Sequence, residues 1–139
     1  MEVAYTYDNL GNVFFDSNDV EQAKRYYEKA LTIKRNKLPP TDVHIGISLS
    51  NMGNAFGKLQ NHEAAKKFFT EALDIYSQSV GETHPYYAIT MGNLACVLAE
   101  TGEKQTAKEY FIRSLSIIKE NFTESHNDYV RFKAVFDSL

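Results

Sequence analysis

Four histidines, one cysteine and a scatter of carboxylates are the groups in this 139-residue chain with the means to do chemistry. Their spacing argues that little is done. His44, His62, His84 and His126 never fall at the separation of roughly four residues that lets two imidazoles reach one metal ion. His84 and His126 are instead 42 residues apart, which makes them helix-entry residues of successive units. Asp16-Ser17-Asn18-Asp19-Val20-Glu21 opens like a calcium loop, but Val20 and a missing glycine break the pattern. Cys96 has no histidine near it in sequence, so it reads as a packed or groove-lining thiol. The glycines at 11, 53, 57 and 92 sit in helical stretches and form no phosphate loop. These patterns predict a protein that is not an enzyme and uses no metal and no cofactor.

The asparagines are more ordered. Asn9, Asn51 and Asn93 are 42 residues apart, and the pairs that follow are Leu10-Gly11, Met52-Gly53 and Leu94-Ala95. An amide carries two donors and an acceptor. A ladder of such groups could pair with the backbone of an extended chain whatever its side chains. The same residues could instead bond a neighbouring repeat's backbone. Helix propensity gives asparagine no advantage in mid-helix, so one of these roles must account for it.

The interval of 42 organises the whole chain. Ala23, Ala65 and Ala107 form one column; Tyr27, Phe69 and Phe111 form another; Leu31, Leu73 and Leu115 a third. Each unit reads as two helices. Ile45, Leu49, Met52 and Phe56 step along one helical face, and Ala65, Phe69, Ala72 and Tyr76 along a second. Tyr7, Leu10 and Phe14 are expected on the core face of the first copy. Short polar breaks such as Lys58–Glu63 turn the chain back on itself. Longer breaks at 36–42, 79–85 and 121–127 separate the units. Pro85 suits a first helical turn, with Thr83 or His84 at or near the cap. The small residues at 11, 53 and 95 let paired helices approach, and aromatic residues fill the space beside them. One such hairpin cannot bury its apolar face alone, so stacked neighbours complete the core.

The pattern resembles the tetratricopeptide repeat. It carries an aromatic or apolar residue, Leu-Gly, an aromatic, then Ala and an aromatic: Tyr7, Leu10-Gly11, Phe14, Ala23, Tyr27 and Ala30 in the first copy. The family's usual unit is ~34 residues. The extra length here is about two helical turns, as in the 42-residue subclass of the kinesin light chains. The closing proline is absent, with Arg35, Ser77 and Lys119 in its place. The resemblance implies an all-α superhelix (α solenoid) of three hairpins plus a C-terminal helix. It forms one domain: repeat 1 about 1–36, repeat 2 about 42–79, repeat 3 about 84–121 and a terminal helix about 126–139. That helix is either a cap or the first half of a fourth repeat. The resemblance also implies that the first helices line a concave groove holding a peptide or a partner's segment. The face concerned carries Tyr5, Asp8, Asn9 and Asn12, then Asn51, Asn54 and Lys58, then Asn93, and Arg131 on the terminal helix. No cationic cluster forms there, so a clamp for a terminal carboxylate is disfavoured. Acidic Asp8 and Asp16 suit a ligand with a basic end.

Composition narrows the partner class. Fifteen basic and 18 acidic residues give a net charge of −3, against the basic stripe of nucleic-acid proteins. No apolar run approaches the ~18 residues of a membrane span, and the N-terminus is neither basic nor continuously apolar. A single cysteine allows no intrachain disulfide, and a reducing, cytoplasmic setting is expected. The expected function is a non-catalytic scaffold or adaptor with a protein or peptide partner. Two other readings stay open. One is self-association into homo-oligomers through the terminal helix or the repeat ends. The other is a regulatory domain sensing a small ligand or signal peptide.

Overall fold

The computed structural model describes residues 1–139 as seven helices: α1 (Glu2–Asp16), α2 (Val20–Lys37), α3 (Val43–Lys58), α4 (His62–Ser79), α5 (Pro85–Glu100), α6 (Lys104–Asn121) and α7 (Asn127–Ser138). Three antiparallel hairpins, α1/α2, α3/α4 and α5/α6, stack in chain order through α2 on α3 and α4 on α5, with α7 packed on α6. The result is an all-α superhelix. None of the helices is long and apolar enough to cross a membrane.

The turns repeat as the helices do. Within each hairpin one residue adopts a left-handed conformation: Asn18 (φ 67°), Gln60 (φ 63°) and Gly102 (φ 86°), again 42 apart. The first helices of later units are capped by one column, Asp42, His84 and His126. Asp42 Oδ1 accepts from the His44 N–H at 2.9 Å, and His84 Nδ1 from Tyr86 N–H at 3.0 Å. Of the two residues considered at 83 and 84, His84 is the cap, and Pro85 follows it at the start of α5.

Aromatic rings fill the space above the small residues. A Cβ on Gly53 would lie 2.6 Å from the Phe69 ring, and one on Gly11 2.5 Å from Tyr27. Ring and glycine therefore fix the distance between the two helices of a hairpin.

None of the three residues expected on the core face of the first copy is fully buried: Tyr7 and Phe14 are half-buried. Leu10 is 36% exposed, and Val3 and Val13 on the same helix are 57% and 62% exposed. Their counterparts Ile45, Met52 and Ala55 are buried, as are Tyr87, Leu94 and Val97 one unit later. The cause is positional. A preceding hairpin packs on α3 and on α5, whereas α1 is the first helix of the residues described. A repeat pattern marks what each unit has in common and is blind to which unit has a neighbour.

Candidate functional site

The first helices α1, α3, α5 and α7 share one concave surface. A cleft of about 440 Å³ is lined by Phe15 of α1, Asn54 of α3, Ile89 and Asn93 of α5, and Asp128 and Arg131 of α7. Beside it, Ile47, Tyr76, Tyr86 and Ile89 form the apolar wall of a cavity of about 220 Å³, which Asn51, Asn54 and Asn93 also line. At ~30 Å³ per liquid water, this second space has room for one large side chain. A third cleft, about 270 Å³, runs from Asn54 and Lys58 to Cys96, Glu100 and Arg131.

The structure thus brings Asn51, Asn54 and Asn93 together, with Lys58 and Arg131 at the same surface. Tyr5, Asn9 and Asn12 sit on α1 and border none of these three clefts. The asparagines also differ in what they bond. Asn93 Oδ1 accepts from the Arg131 guanidinium at 2.7 Å, a contact between α5 and α7, and its amide N–H groups stay free. Asn12 Oδ1 accepts from the Tyr27 hydroxyl at 2.7 Å. This is a packing role, because Phe69 and Phe111 replace Tyr27 in later units and need no acceptor. Asn9 is exposed, Asn51 and Asn54 are half-buried, and none of the three side chains bonds another group of the chain. Arg131 also pairs with Asp128 at 2.9 Å, and Lys58 lies 4.8 Å from the Phe15 ring centroid.

Asp8 departs from its expected place. It is buried, and its Oδ2 accepts from Lys34 Nζ at 2.6 Å. Lys34, 1% exposed, also donates to Ser48 Oγ at 2.8 Å and to the His44 carbonyl at 3.2 Å. All three ammonium protons are therefore used. The ring of Tyr5 lies 5.6 Å from the same ammonium. Asp8 neutralises a buried cation between hairpins and is not a free carboxylate for a basic ligand. The next unit places Tyr76, Ser50 and Thr90 in the corresponding positions, with Ser50 Oγ 3.1 Å from the Tyr76 hydroxyl and 3.0 Å from Thr90 Oγ1. The third junction has Ile118, Gly92 and Phe132, where the ring packs against the glycine. One structural position thus runs from ionic to polar to apolar along the array.

Cys96 is half-buried and lines the third cleft. Burial pushes the Cys96 thiol up, with Glu100 and Asp128 adding and Arg131 opposing. Such a thiol stays protonated at neutral pH and makes a poor nucleophile. No three His, Cys, Asp or Glu side chains gather into a ligand set. Phe15, Ile47, Tyr86 and Asp128 line the concave surface and were missed from the sequence. Phe15 follows Asn12 by three residues, which is a detectable signal of a shared helical face.

The tetratricopeptide repeat profile matches residues 44–120, and a second profile of the same description matches residues 3–44. No curated protein matches. Among solved structures, BtubC (BKLC) from P. vanneervenii superposes with a TM-score of 0.84 at 20% identity, over 97% of this chain and 54% of that one. Nearly identical TPR-like repeats from a Podosopora anserina protein assigned as a kinesin light chain give 0.83 at 15% identity, over 96% and 64%. The Sgt2 TPR domain from Aspergillus fumigatus gives 0.70 at 18% identity, over 97% and 75%. The chain therefore spans 54% and 64% of the lengths of the first two. At these identities the likeness is one of fold, while the profiles match repeats along residues 3–120, and the chain belongs to the tetratricopeptide repeat family.

Proposed function

We propose that this domain is a protein-interaction scaffold that holds an extended peptide segment of a partner in its concave groove. Asn51 and Asn93 capture the peptide backbone, and Asn9 extends the ladder onto α1. Asn54, Lys58 and Arg131 flank it, and the more peripheral Tyr5 and Asn12 edge it on α1. The apolar cavity between α3 and α5 receives one large side chain, which sets register.

A single observation carries the reading. Asn51 and Asn54 face a concave, partly apolar surface with amides that no group of the chain uses. Were inter-repeat packing their purpose, each would be spent as Asn93 is on Arg131. Half-buried amides left unpaired are costly to desolvate unless a ligand satisfies them. Peptides selected from a random library on the immobilised chain test this. Titrating a selected peptide should move the side-chain amide resonances of Asn51, Asn54 and Asn93 together. Selected peptides that move only residues outside the groove would contradict it.

A further inference from the structure

Building on the groove reading above, and resting on it, we propose that the cleft of about 270 Å³ at Gly57 is a second side-chain subsite for the bound peptide. Its occupant is a neutral side chain with an amide head, a glutamine of the partner segment.

Packing accounts for four of the five helical glycines. A Cβ on Gly11, Gly46, Gly53 or Gly92 would press into the ring of Tyr27, Tyr76, Phe69 or Phe132. Gly57 is different. A Cβ there would meet only Ala65 Cβ at 3.9 Å and Val97 Cγ2 at 4.0 Å, which are ordinary contacts. The turn does not require glycine at this point either, because Gly57 is helical and the left-handed residue is Gln60. Alanine at such a position stabilises a fold by restricting the unfolded chain, so Gly57 lowers stability with no packing in return. What it leaves is space on the concave surface. Its column reads Phe15, Gly57 and Ala99. Phe15 presents a ring to the groove, whereas Gly57 opens a cleft walled by Phe69, Cys96 and Val97. At ~30 Å³ per liquid water, that cleft has room for one long side chain.

The charges identify the occupant. Lys58, Glu100 and Arg131 line the cleft. Arg131 is spent on Asn93 and Asp128. Lys58 rests on the Phe15 ring and pairs with no carboxylate. Glu100 has only His62 Nδ1 at 3.6 Å, too long for a hydrogen bond, and that nitrogen is buried without a partner. One cation and one anion therefore face the cleft uncommitted and do not pair with each other. A ligand carboxylate would gain Lys58 but meet Glu100, and a ligand ammonium would do the reverse. A primary amide suits both, since it carries an acceptor and two donors. Its oxygen accepts a hydrogen bond from Lys58 and its N–H donates to Glu100. The methylene stem of glutamine lies against Phe69, Val97 and the bare Cα of Gly57.

Stability and binding should part company at this residue. Gly57→Ala in the full chain should raise the melting temperature by about 2–4 °C. It should weaken a library-selected groove peptide about tenfold, because the methyl takes the floor of an occupied site. Each position of that peptide is then replaced in turn by Gln, Glu and Lys. At one position Gln should bind best to the parent chain. In Glu100→Gln the Glu peptide should outbind the Lys peptide about fivefold, and in Lys58→Gln the order should reverse, on the scale of one exposed ion pair. Gly57→Ala with unchanged affinity, or one order of Gln, Glu and Lys in all three chains, would overturn the subsite and leave the groove reading standing. A lower melting temperature for Gly57→Ala would also overturn it, because packing would then require the glycine. Selected peptides that leave the side-chain amide resonances of Asn51, Asn54 and Asn93 unmoved would overturn the groove reading and the subsite with it.

Discussion

Replacing Lys34 by methionine tests the packing logic of the array. The change keeps an unbranched side chain of similar length and removes three hydrogen bonds, to Asp8, Ser48 and the His44 carbonyl. It also leaves the buried Asp8 carboxylate without its cation, when Asp8 Oδ1 already has no partner. Removing one member of a buried pair costs about 3–5 kcal/mol. At about 4 °C per kcal/mol for a chain of this size, Lys34→Met should melt roughly 12–20 °C lower by far-UV circular dichroism. The second junction suggests the rescue. Asp8→Ser with Lys34→Tyr copies the Tyr76–Ser50 arrangement and faces Ser48, as Tyr76 and Ser50 face Thr90. This double variant should recover to within about 1 kcal/mol of the parent, since well-packed neutral replacements of buried pairs are often neutral. A Lys34→Met variant melting within a few degrees of the parent would refute the reasoning. So would a double variant no more stable than Lys34→Met.

Gly53→Ala should destabilise by about 1–3 kcal/mol, because its methyl would press on the Phe69 ring of a filled core; urea denaturation measures this. Tyr27 and Tyr76 have hydroxyls pushed up to about 12, by burial first and, for Tyr27, by Asp8 and Asp16 next. Burial also raises Tyr87. Their protons are held by the folded state, so the related stability is intact below pH ~10, where both states are protonated. It is lost as pH climbs from there toward 12, where only the unfolded chain ionises freely. Absorbance at alkaline pH should therefore show these three of the nine tyrosines ionising late, in step with unfolding.

Much of the fold was legible because the repeat supplies three readings of each position. Ala65 and Phe69 belong to the second helix whichever copy is read, and the glycine under the ring is visible as a column. Legibility failed where a position depends on its neighbour. Leu10 shares a column with buried Met52 and Leu94, but burial is decided by whether a hairpin lies in front of it. Lys34 was hidden for another reason. Lysine is almost never fully buried unless paired, and its partner Asp8 is 26 residues away with no periodic signal. Its column, shared with Tyr76 and Ile118, nevertheless points inward. In the site, the asparagine ladder was legible as spacing, but its division of labour was not. Asn12 serves the one tyrosine in a column of phenylalanines, Asn93 is tied to Arg131, and Asn51 is left free. Those differences come from which ring or cation stands opposite, one helix away.

Asn51→Ala combined with Asn93→Ala tests the central claim most directly. Affinity for a library-selected groove peptide is measured by fluorescence anisotropy, and stability by thermal denaturation on the same preparation. Each amide making backbone hydrogen bonds to the ligand contributes about 1 kcal/mol net, so the double variant should bind roughly thirtyfold more weakly. Its melting temperature should stay within a few degrees of the parent. Unchanged affinity with a large drop in melting temperature would contradict the account and assign the asparagines to packing between repeats.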